Sequence, residues 1–437
     1  MIREELIMVC TCEIAGQVRG KAFPARELPM RLARGVGWTP TNIMITTFGV
    51  IGDSPFGALG DLMLLPDPAA EVRVDFGDGS AAEHFFLGDI CDTDGTPWDC
   101  CPRFFLRRAL GALESAAGLK LLSAFEQEFI YTGVEARPGA SYSLDAYRRQ
   151  GIFGEVFMAA LRQAGVEPDS FLPEYGARQF EVTTEPAIGV AAADQAVITR
   201  EIARATAHRL GQRAVFSPIL DPDGVGSGVH VHMSFRDATG RPAIYDPKGD
   251  YGLTPAAQQF MAGVLHHLPA IAAVTAPSLV SYFRLTPNRW APTFANLGER
   301  DREASLRICP VFVVAGADPA RQYNVEFRTA DAAASPYLAL GAIVHAGVDG
   351  IRKGLKLPRP GGRHLSAMSE AERKAAGIKP LPRSLAEALD ALEATPEAKD
   401  WFGPVFLDAY LRHKRFEIRL LKDLDPKALC ERYAQAY

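Results

Sequence analysis

Gly224-Val225-Gly226-Ser227-Gly228-Val229-His230-Val231-His232-Met233-Ser234-Phe235 is a glycine-rich loop that runs directly into an alternating strand. Because successive side chains of a strand point to opposite faces, His230, His232 and Ser234 share one face and the apolar residues share the other. Two imidazoles on one face, beside backbone that a ligand can approach closely, are typical of a binding or metal site. The alternative is a strand whose histidines only form hydrogen bonds in a polar groove.

The composition of the 437-residue chain is typical of a globular protein, with 48% hydrophobic and 23% charged residues. That length exceeds one ordinary hydrophobic core and predicts two domains. The formal net charge is -5 and aromatic residues are not interleaved with basic runs, so no nucleic-acid partner is expected.

Three features of the sequence bear on the compartment. Residues 1–5 carry acidic side chains where a signal peptide needs a basic start. The most apolar long stretch, residues 262–280, is interrupted by histidines and prolines and does not predict a membrane span. The seven cysteines are an odd number spread over a long chain, which favours reduced thiols. We therefore predict a cytoplasmic protein without membrane association.

The residue pattern changes near residue 96, which predicts two domains, 1–96 and 97–437. The first has mostly strand and turn patterns, including a β-branched run at 42–50 and an alternating run at 71–76. The second begins with a helical pattern, with Pro102 at its start and Gly118 just past its end. Residues 353–382, rich in basic residues, Pro and Gly, are predicted to form a surface excursion. Further strands are predicted at 121–130, 179–185 and 324–328, and helices at 142–164, 191–210, 255–274, 336–351 and from residues 384 and 404.

Carboxylates from separate predicted strands complement the histidines. Glu126 and Glu128 share a face of a strand that is otherwise apolar, an arrangement that is costly unless a cation or proton offsets the two charges. Alternatively, they form a solvated acidic face on an edge strand. Glu181 and Glu326 alternate in the same way with apolar neighbours, and Glu174 precedes the strand of Glu181. Oxygen-rich sites with an imidazole favour Mg²⁺ or Mn²⁺, which commonly neutralise nucleotide phosphates.

Arginines cluster in a Pro- and Asn-rich segment, residues 281–308, which is predicted to be a loop. Guanidinium groups beside a carboxylate-lined metal site suit the recognition of carboxylate and phosphate oxygens. The glycines are not followed by the Lys-Ser/Thr of a phosphate-binding loop, and they open a strand rather than the helix of a dinucleotide site. We interpret Arg289 and Arg300 as solvated surface residues. The other arginines of the segment are Arg284, Arg302 and Arg307.

Six motifs, in this order, resemble the glutamine synthetase family. The resemblance covers residues 102–351 well and the N-terminal part loosely. It implies an α+β fold: an N-terminal β-grasp domain, and a glutamine-synthetase-type catalytic domain with a half-open antiparallel barrel and surrounding helices. Ring-stacked homo-oligomers, often dodecamers, are usual in the family. The matching motifs are residues 125–129, 174–181, 226–234, 281–287, 302–308, and 325–328 followed by 335–340.

The resemblance also implies roles for individual residues, with two or three Mg²⁺ or Mn²⁺ ions per site and ATP as co-substrate. ATP would phosphorylate a side-chain carboxylate of the substrate, and an amine would then displace phosphate to form an amide. Arg302, Arg328 and Glu174 would act directly in this chemistry. One metal would be held by Glu128, Glu174 and Glu181, and the second by Glu126, His230 and Glu326. The nucleotide and transferred phosphate would contact His232, Ser234, Arg302 and Arg307, and the substrates would contact Gly226, Arg284, Arg328 and Trp290.

The chain departs from the family at the ammonia pocket. Ammonia-using members carry a glutamate six residues after the arginine matched by Arg284, and here that residue is Trp290. The family's Asp-Gly-Ser-Ser stretch is not recognisable at residues 48–55. An indole at the mouth suits an alkyl or aryl amine through apolar burial or cation–π contact, whereas the alternative is that Trp290 only packs a loop. Val225 and Asn324 replace residues usual near glutamate and ATP.

These departures favour an ATP-dependent ligase that couples the γ-carboxylate of glutamate to an organic amine, whether an alkylamine, arylamine or polyamine. Two alternatives remain open: a glutamine synthetase that uses ammonium, and a non-catalytic family member with a structural or regulatory role. The residue that deprotonates the amine also stays open between Asp53 and Glu174. No counterpart of the tyrosine used for adenylylation control in some bacterial members is found at residues 361–369.

Overall fold

The N-terminal part of the chain folds into a mixed five-stranded sheet with strand order β2-β1-β5-β4-β3. The computed structural model describes residues 2–287, 289–358, 365 and 368–437. Strands β1 and β5 pair in parallel and the other neighbours are antiparallel. The elements are β1 (Leu6–Cys12), β2 (Val18–Pro24), α1 (Leu28–Arg34), β3 (Val36–Trp38), β4 (Leu62–Val74) and β5 (Glu83–Cys91).

A nine-stranded sheet forms the centre of the remaining chain and curves into a nearly closed barrel. Its main path is β12-β13-β14-β11-β6-β8-β7, and β9 and β10 also pair with β6. All pairs are antiparallel except β12 with β13. The strands are β6 (Lys120–Tyr131), β7 (Pro168–Pro173), β8 (Gln179–Thr184), β9 (Ala187–Ile188), β10 (Ala214–Val215), β11 (Val229–Arg236), β12 (Leu297–Glu299), β13 (Leu306–Ile308) and β14 (Val325–Phe327).

Helices cover one face of this sheet and leave the other face to the polar residues. In β6 the buried side chains Phe125, Gln127 and Phe129 alternate with partly exposed Glu126 and Glu128. The helices are α2 (Pro102–Ala117), α3 (Leu144–Arg149), α4 (Phe153–Gln163), α5 (Val190–Arg209), α6 (Pro255–Thr275), α7 (Ser281–Arg284), α8 (Pro319–Gln322), α9 (Pro336–Lys353), α10 (Glu370–Ala375), α11 (Leu385–Ala394), α12 (Pro396–Phe402), α13 (Pro404–Leu420) and α14 (Pro426–Ala436). Within the described ranges, no helix is both long and apolar enough to cross a membrane.

The predicted α+β fold class is confirmed, and most predicted elements are found. Helix α2 has the predicted bounds because Pro102 occupies its first turn and Gly118, at φ 65°, ends it in the left-handed region. The prediction of a strand from the β-branched run at 42–50 is wrong. Pro40–Met44 forms a 3-10 helix, and a turn closed by the Thr46 and Val50 backbone follows. Part of the excursion predicted at 353–382, and most of residues 361–369, lie outside the described residues.

Candidate functional site

The strand register brings the predicted histidines and carboxylates onto one face of the central sheet. His230 of β11 lies opposite Glu126 of β6, and His232 lies opposite Glu326 of β14. The Nδ1 atom of His230 is 2.7 Å from Oε1 of Glu126, and the Nε2 atom of His232 is 3.3 Å from Oε2 of the same carboxylate. Residues distant in sequence therefore converge through antiparallel pairing alone.

Glu326 is the most deeply buried carboxylate of the group, with a side chain 1% exposed. Arg307 of β13, its cross-strand neighbour, donates a hydrogen bond from Nη1 to Oε2 at 2.8 Å. Arg328 donates to Oε1, and Nδ1 of His230 lies 3.3 Å from that same oxygen. Burial acts to raise the pKa of Glu326, but His230, Arg328 and His232 hold it below its ordinary value. An ionised carboxylate is thus fixed between two guanidinium groups at the centre of the site.

A second group of carboxylates lies on β6 and β8, where Glu128 and Glu181 are directly opposite each other. Oε2 of Glu128 accepts hydrogen bonds from the Gly228 backbone at 2.9 Å and from Nε2 of Gln179 at 2.9 Å. Burial raises the pKa of Glu128 to about 8. Burial, with the neighbouring charges of Glu126 and Glu128, raises the pKa of Glu181 to about 10. Without a cation these carboxylates retain protons at neutral pH.

The two histidines differ in protonation. Burial and the charge of Arg328 lower the pKa of His230. Burial also acts to lower the pKa of His232, but hydrogen bonds to Cys309 and Glu126 raise it well above its ordinary value. The lowered pKa of His230 favours a neutral imidazole with a lone pair, whereas the raised pKa of His232 favours its cation beside Glu126, whose own pKa is lowered.

These residues fit a divalent metal because carboxylate oxygens and a neutral imidazole are its usual ligands. Glu126, His232 and Glu326 can bring one donor atom each to within 4.8 Å of one another. His230 is at least as close, at 2.7 Å from Glu126 and 3.3 Å from Glu326. Distances alone thus favour neither histidine. The neutral state of His230 favours it as the ligand, and the charge of His232 suits a phosphate.

Metal removal is expected to destabilise the protein more at high pH than at low pH. The native pKa values of Glu128 and Glu181, about 8 and about 10, exceed the ordinary 4.5, so the folded metal-free protein holds protons that the unfolded chain releases. Its free energy of unfolding therefore falls as pH rises from about 4.5 through those values, while a bound metal removes the repulsion. Thermal unfolding with Mn²⁺ or with chelator, at pH 6 and pH 8.5, should show a larger metal effect at pH 8.5. The assignment of Glu128 and Glu181 as metal ligands would be contradicted if Mn²⁺ stabilised the protein equally at both pH values. It would also be contradicted if the metal effect in Glu181→Gln kept the pH dependence of the unaltered protein.

Arg284 and the glycine-rich loop fit closely together. The guanidinium of Arg284 is buried and donates from Nη2 to the carbonyls of Thr329 and Ala330, at 2.6 and 2.9 Å. A Cβ atom at Gly226 would lie 2.4 Å from Cγ of Arg284, and one at Gly228 would lie 2.9 Å from Nε2 of His230. Gly226 and Gly228 are therefore required because the side chains of Arg284 and His230 lie too close to leave room for a Cβ atom.

The remaining arginines of residues 281–308 have different environments. Arg307 is paired with Glu326, and Arg302 is exposed, with its carbonyl accepting from Nε of Arg328 at 3.0 Å. The interpretation of Arg289 as a solvated residue is wrong. Its Nη1 donates to the carbonyls of Pro222 and Gly224 at 2.8 and 3.0 Å, so it supports the glycine-rich loop. Arg300 is exposed, as expected.

The mouth of the site carries Trp290 and Glu174. Nη2 of Arg328 donates to the Trp290 carbonyl at 3.3 Å, which ties the loop of Trp290 to the site. Glu174 lies in the turn between β7 and β8, and its Oε2 accepts from the Tyr142 hydroxyl at 2.9 Å and the Tyr175 backbone at 2.6 Å. The Trp290 ring lies 6.2 Å from the Tyr175 ring, so the indole is part of the mouth.

Ser234 and Asp53, two further residues named from the sequence, have different surroundings. Ser234 follows the histidines on the same face of β11, and Oδ1 of Asn324 lies 2.9 Å from Nδ1 of His232. Asp53 instead forms an ion pair with Arg419 of α13, and both side chains are about half exposed. The structure thus places Glu174, and not Asp53, among the site carboxylates of this chain.

Sequence reasoning missed several residues of the site. Gln179 lies in the motif at 174–181 without a role of its own there, yet its Nε2 donates to Glu128, the Gly226 carbonyl and the Ser227 hydroxyl at 2.9, 3.0 and 3.0 Å. Cys309 follows the motif at 302–308, and its Sγ lies 3.7 Å from Nδ1 of His232. The available signal is their spacing, because Gln179 and Cys309 stand two residues along the chain from Glu181 and Arg307, respectively. Tyr142, the first residue of the helical pattern predicted at 142–164, lies instead in the turn before α3, and its hydroxyl contacts Glu174 there.

Two family models together match residues 2–431 of the chain. The model described as the glutamine synthetase catalytic domain matches residues 99–431, and the glutamine synthetase N-terminal domain matches residues 2–98. The family is one of ligases that use ATP and divalent metals.

Individual relatives agree with these matches. Gamma-glutamylpolyamine synthetase GlnA3 of Streptomyces coelicolor is 33% identical over 99% of this chain and 93% of its own length. Glutamine synthetase of Thermus thermophilus is 32% identical over 75% of this chain and 74% of its own length. A crystal structure of a novel glutamine synthase homolog superposes with a TM-score of 0.92, at 42% identity and over 100% of this chain and 99% of that chain. A GmaS/ADP complex superposes with a TM-score of 0.80 at 25% identity, over 97% and 95% of the two chains. With both domains matched and the histidines, carboxylates and arginines converging on one face of the sheet, this chain belongs to the glutamine synthetase family.

Proposed function

We propose that this protein is an ATP-dependent ligase that couples the γ-carboxylate of glutamate to an organic amine and releases a γ-glutamylamide. The observation that carries the proposal is Trp290, whose indole lies at the mouth while its carbonyl is bound to Arg328. The relative named gamma-glutamylpolyamine synthetase, at 33% identity, supports an organic amine, and polyamines are therefore the first candidates to test.

In the proposed reaction the buried Arg284 and Arg328 orient the carboxylates of glutamate. Arg307 and the protonated His232 stabilise the charge on the transferred phosphoryl group, and Arg302 contacts the same group. Ser234 and Gly226 line the nucleotide and glutamate ends, respectively. Bound Mg²⁺ or Mn²⁺, held by Glu128, Glu174 and Glu181 and by Glu126, His230 and Glu326, would neutralise the phosphate oxygens.

The proposed reaction has two steps, phosphorylation of glutamate and displacement of phosphate by the amine. A γ-carboxylate oxygen attacks the γ-phosphorus of ATP, and ADP leaves. The amine nitrogen then attacks the acyl carbon, and phosphate leaves with the bridging oxygen. Glu174 lies at the mouth, where an incoming amine would pass, and we assign it as the acceptor of the amine proton.

The proposal extends to the cellular compartment, the oligomeric state and the bound metal ion. All seven cysteines are free and buried, which supports a reducing cytoplasm. The family resemblance supports a homo-oligomer, with a dodecamer as the expected size. Native mass measurement would determine the assembly, and competition between Mg²⁺ and Mn²⁺ would identify the preferred ion.

The test is ATP-dependent phosphate release with glutamate across ammonium, methylamine, isopropylamine, ethanolamine, putrescine, spermidine and aniline, with products identified by mass spectrometry. Preference for an organic amine, with ammonium a poor substrate, is expected. Glutamine synthetases at 28–32% identity make ammonium the second candidate, and preference for ammonium would establish it instead. Absence of turnover with every amine, together with no binding of ATP or Mn²⁺ in calorimetry, would favour a non-catalytic role.

A further inference from the structure

Two large aromatic rings stand exposed together at the mouth of the site. Trp290 and Tyr175 are each 57% exposed. Their ring centroids are 6.2 Å apart and their planes are inclined at 35°, so they form an open corner, called here the aromatic corner. An exposed aromatic pair beside a polar site indicates a surface for a ligand, because burying both rings against a ligand is favourable.

The backbone of both residues is anchored to site residues. The Tyr175 backbone N–H donates to Oε2 of Glu174 at 2.6 Å, and its carbonyl accepts from the Ser141 hydroxyl at 2.8 Å. Trp290 has φ 51°, in the left-handed region that is uncommon for a bulky residue, and Arg328 holds its carbonyl. The aromatic corner therefore adjoins the region between Glu174 and Arg328, where the acyl phosphate would form.

In the part of the chain that the structure describes, no arginine or lysine lies over a ring face of the corner. Elsewhere arginines lie over aromatic rings, as Arg209 does over Phe76 at 4.0 Å. Among the described residues, no guanidinium is found over Trp290 or Tyr175. The negative faces of both rings are thus available to a cation of the substrate.

We propose that the aromatic corner binds the distal ammonium group of a diamine or polyamine, while its other, reacting nitrogen enters between Glu174 and Arg328. The inference rests on the proposed function and adds Tyr175 as a specificity-determining residue. An open corner leaves a bound ammonium partly hydrated, which favours a charged end over a methyl end. A purely apolar amine would gain more from an enclosed pocket.

The experiment compares putrescine with n-pentylamine, in which a methyl group replaces the distal ammonium. The ratio of kcat/KM for the two amines is measured in the unaltered protein and in Tyr175→Leu, Trp290→Leu, Tyr175→Phe and Trp290→Phe. We expect a preference for putrescine of about threefold to thirtyfold. Each leucine variant should lower the ratio, mainly through the KM for putrescine, and each phenylalanine variant should retain most of it. Tyr147→Leu, at an exposed tyrosine of α3, is the matched control and should leave the ratio unchanged.

Retained turnover of n-pentylamine shows that a leucine variant is folded. Equal kcat/KM for the two amines in the unaltered protein would overturn the inference and leave the proposed ligase intact. So would leucine variants that lose both amines equally, because that result indicates a structural role for the rings. Turnover of ammonium alone would overturn the proposed function, and the inference with it.

Discussion

Replacement of Glu326 by glutamine is expected to lower kcat for phosphate release at least about 100-fold, the scale on which loss of a single transition-state-stabilising group acts. The substitution removes the negative charge shared by Arg307, Arg328 and His230 and one of the ligands assigned to the second metal. Two guanidinium groups would then face an amide that cannot neutralise them. Steady-state phosphate release and Mn²⁺ calorimetry on the same sample provide the measurement.

Glu299→Gln is the matched control, since Glu299 is an exposed glutamate of β12 on the same sheet. It should retain both the turnover and the Mn²⁺ affinity of the unaltered protein. Circular dichroism separates loss of chemistry from loss of fold in Glu326→Gln. Near-normal turnover in a folded Glu326→Gln variant would refute the metal and phosphate assignments together.

Substitution of Arg103 by methionine is expected to cost about 3–5 kcal/mol of unfolding free energy, because it leaves the buried carboxylate of Asp194 without its cation. The side chain is 1% exposed and joins the N-terminal sheet to the helices. It bonds Asp194 of α5 at 2.9 and 2.8 Å, Asp67 of β4 at 2.7 Å and Asp89 of β5 at 3.0 Å. The hydroxyl of Tyr337 donates to the same Asp194 at 2.6 Å. Urea unfolding monitored by circular dichroism gives the value.

Arg107→Met is the comparison variant. Arg107 contacts Asp67 and Asp89 at 2.8 and 3.4 Å, but its side chain is 38% exposed. Solvent screening limits its expected contribution to about 1 kcal/mol or less. Losses of equal size in the two variants would show that the buried network does not hold the two parts of the chain together.

Helix ends and strand faces could be predicted from the sequence because each depends on residues that are close together in the chain. Pro102 and Gly118 delimit α2, and the alternation of Glu126 and Glu128 with Phe125 and Phe129 defines the faces of β6. The run at 42–50 shows the limit of propensity, since turn hydrogen bonds at Thr46 outweigh β-branching there.

The sequence predicted which residues belong to the site, but it did not predict which contacts those residues make. The resemblance implied that Glu326 is a site residue. Its position opposite both Arg307 and His232 depends on the register of β13, β14 and β11. The supporting role of Arg289 depends on carbonyls more than sixty residues away in the chain. Such non-local contacts, like the pairing of Tyr175 with Trp290, leave no periodic pattern in the sequence.

If glutamate is activated as an acyl phosphate, an oxygen atom of its γ-carboxylate ends in the released phosphate. The protein is incubated with ATP, Mg²⁺, an accepted amine and glutamate labelled with ¹⁸O in the γ-carboxylate, and the phosphate is analysed by mass spectrometry. We expect that each phosphate released carries one ¹⁸O atom from glutamate and that ADP is unlabelled. Unlabelled phosphate, or label appearing in AMP, would contradict this expectation.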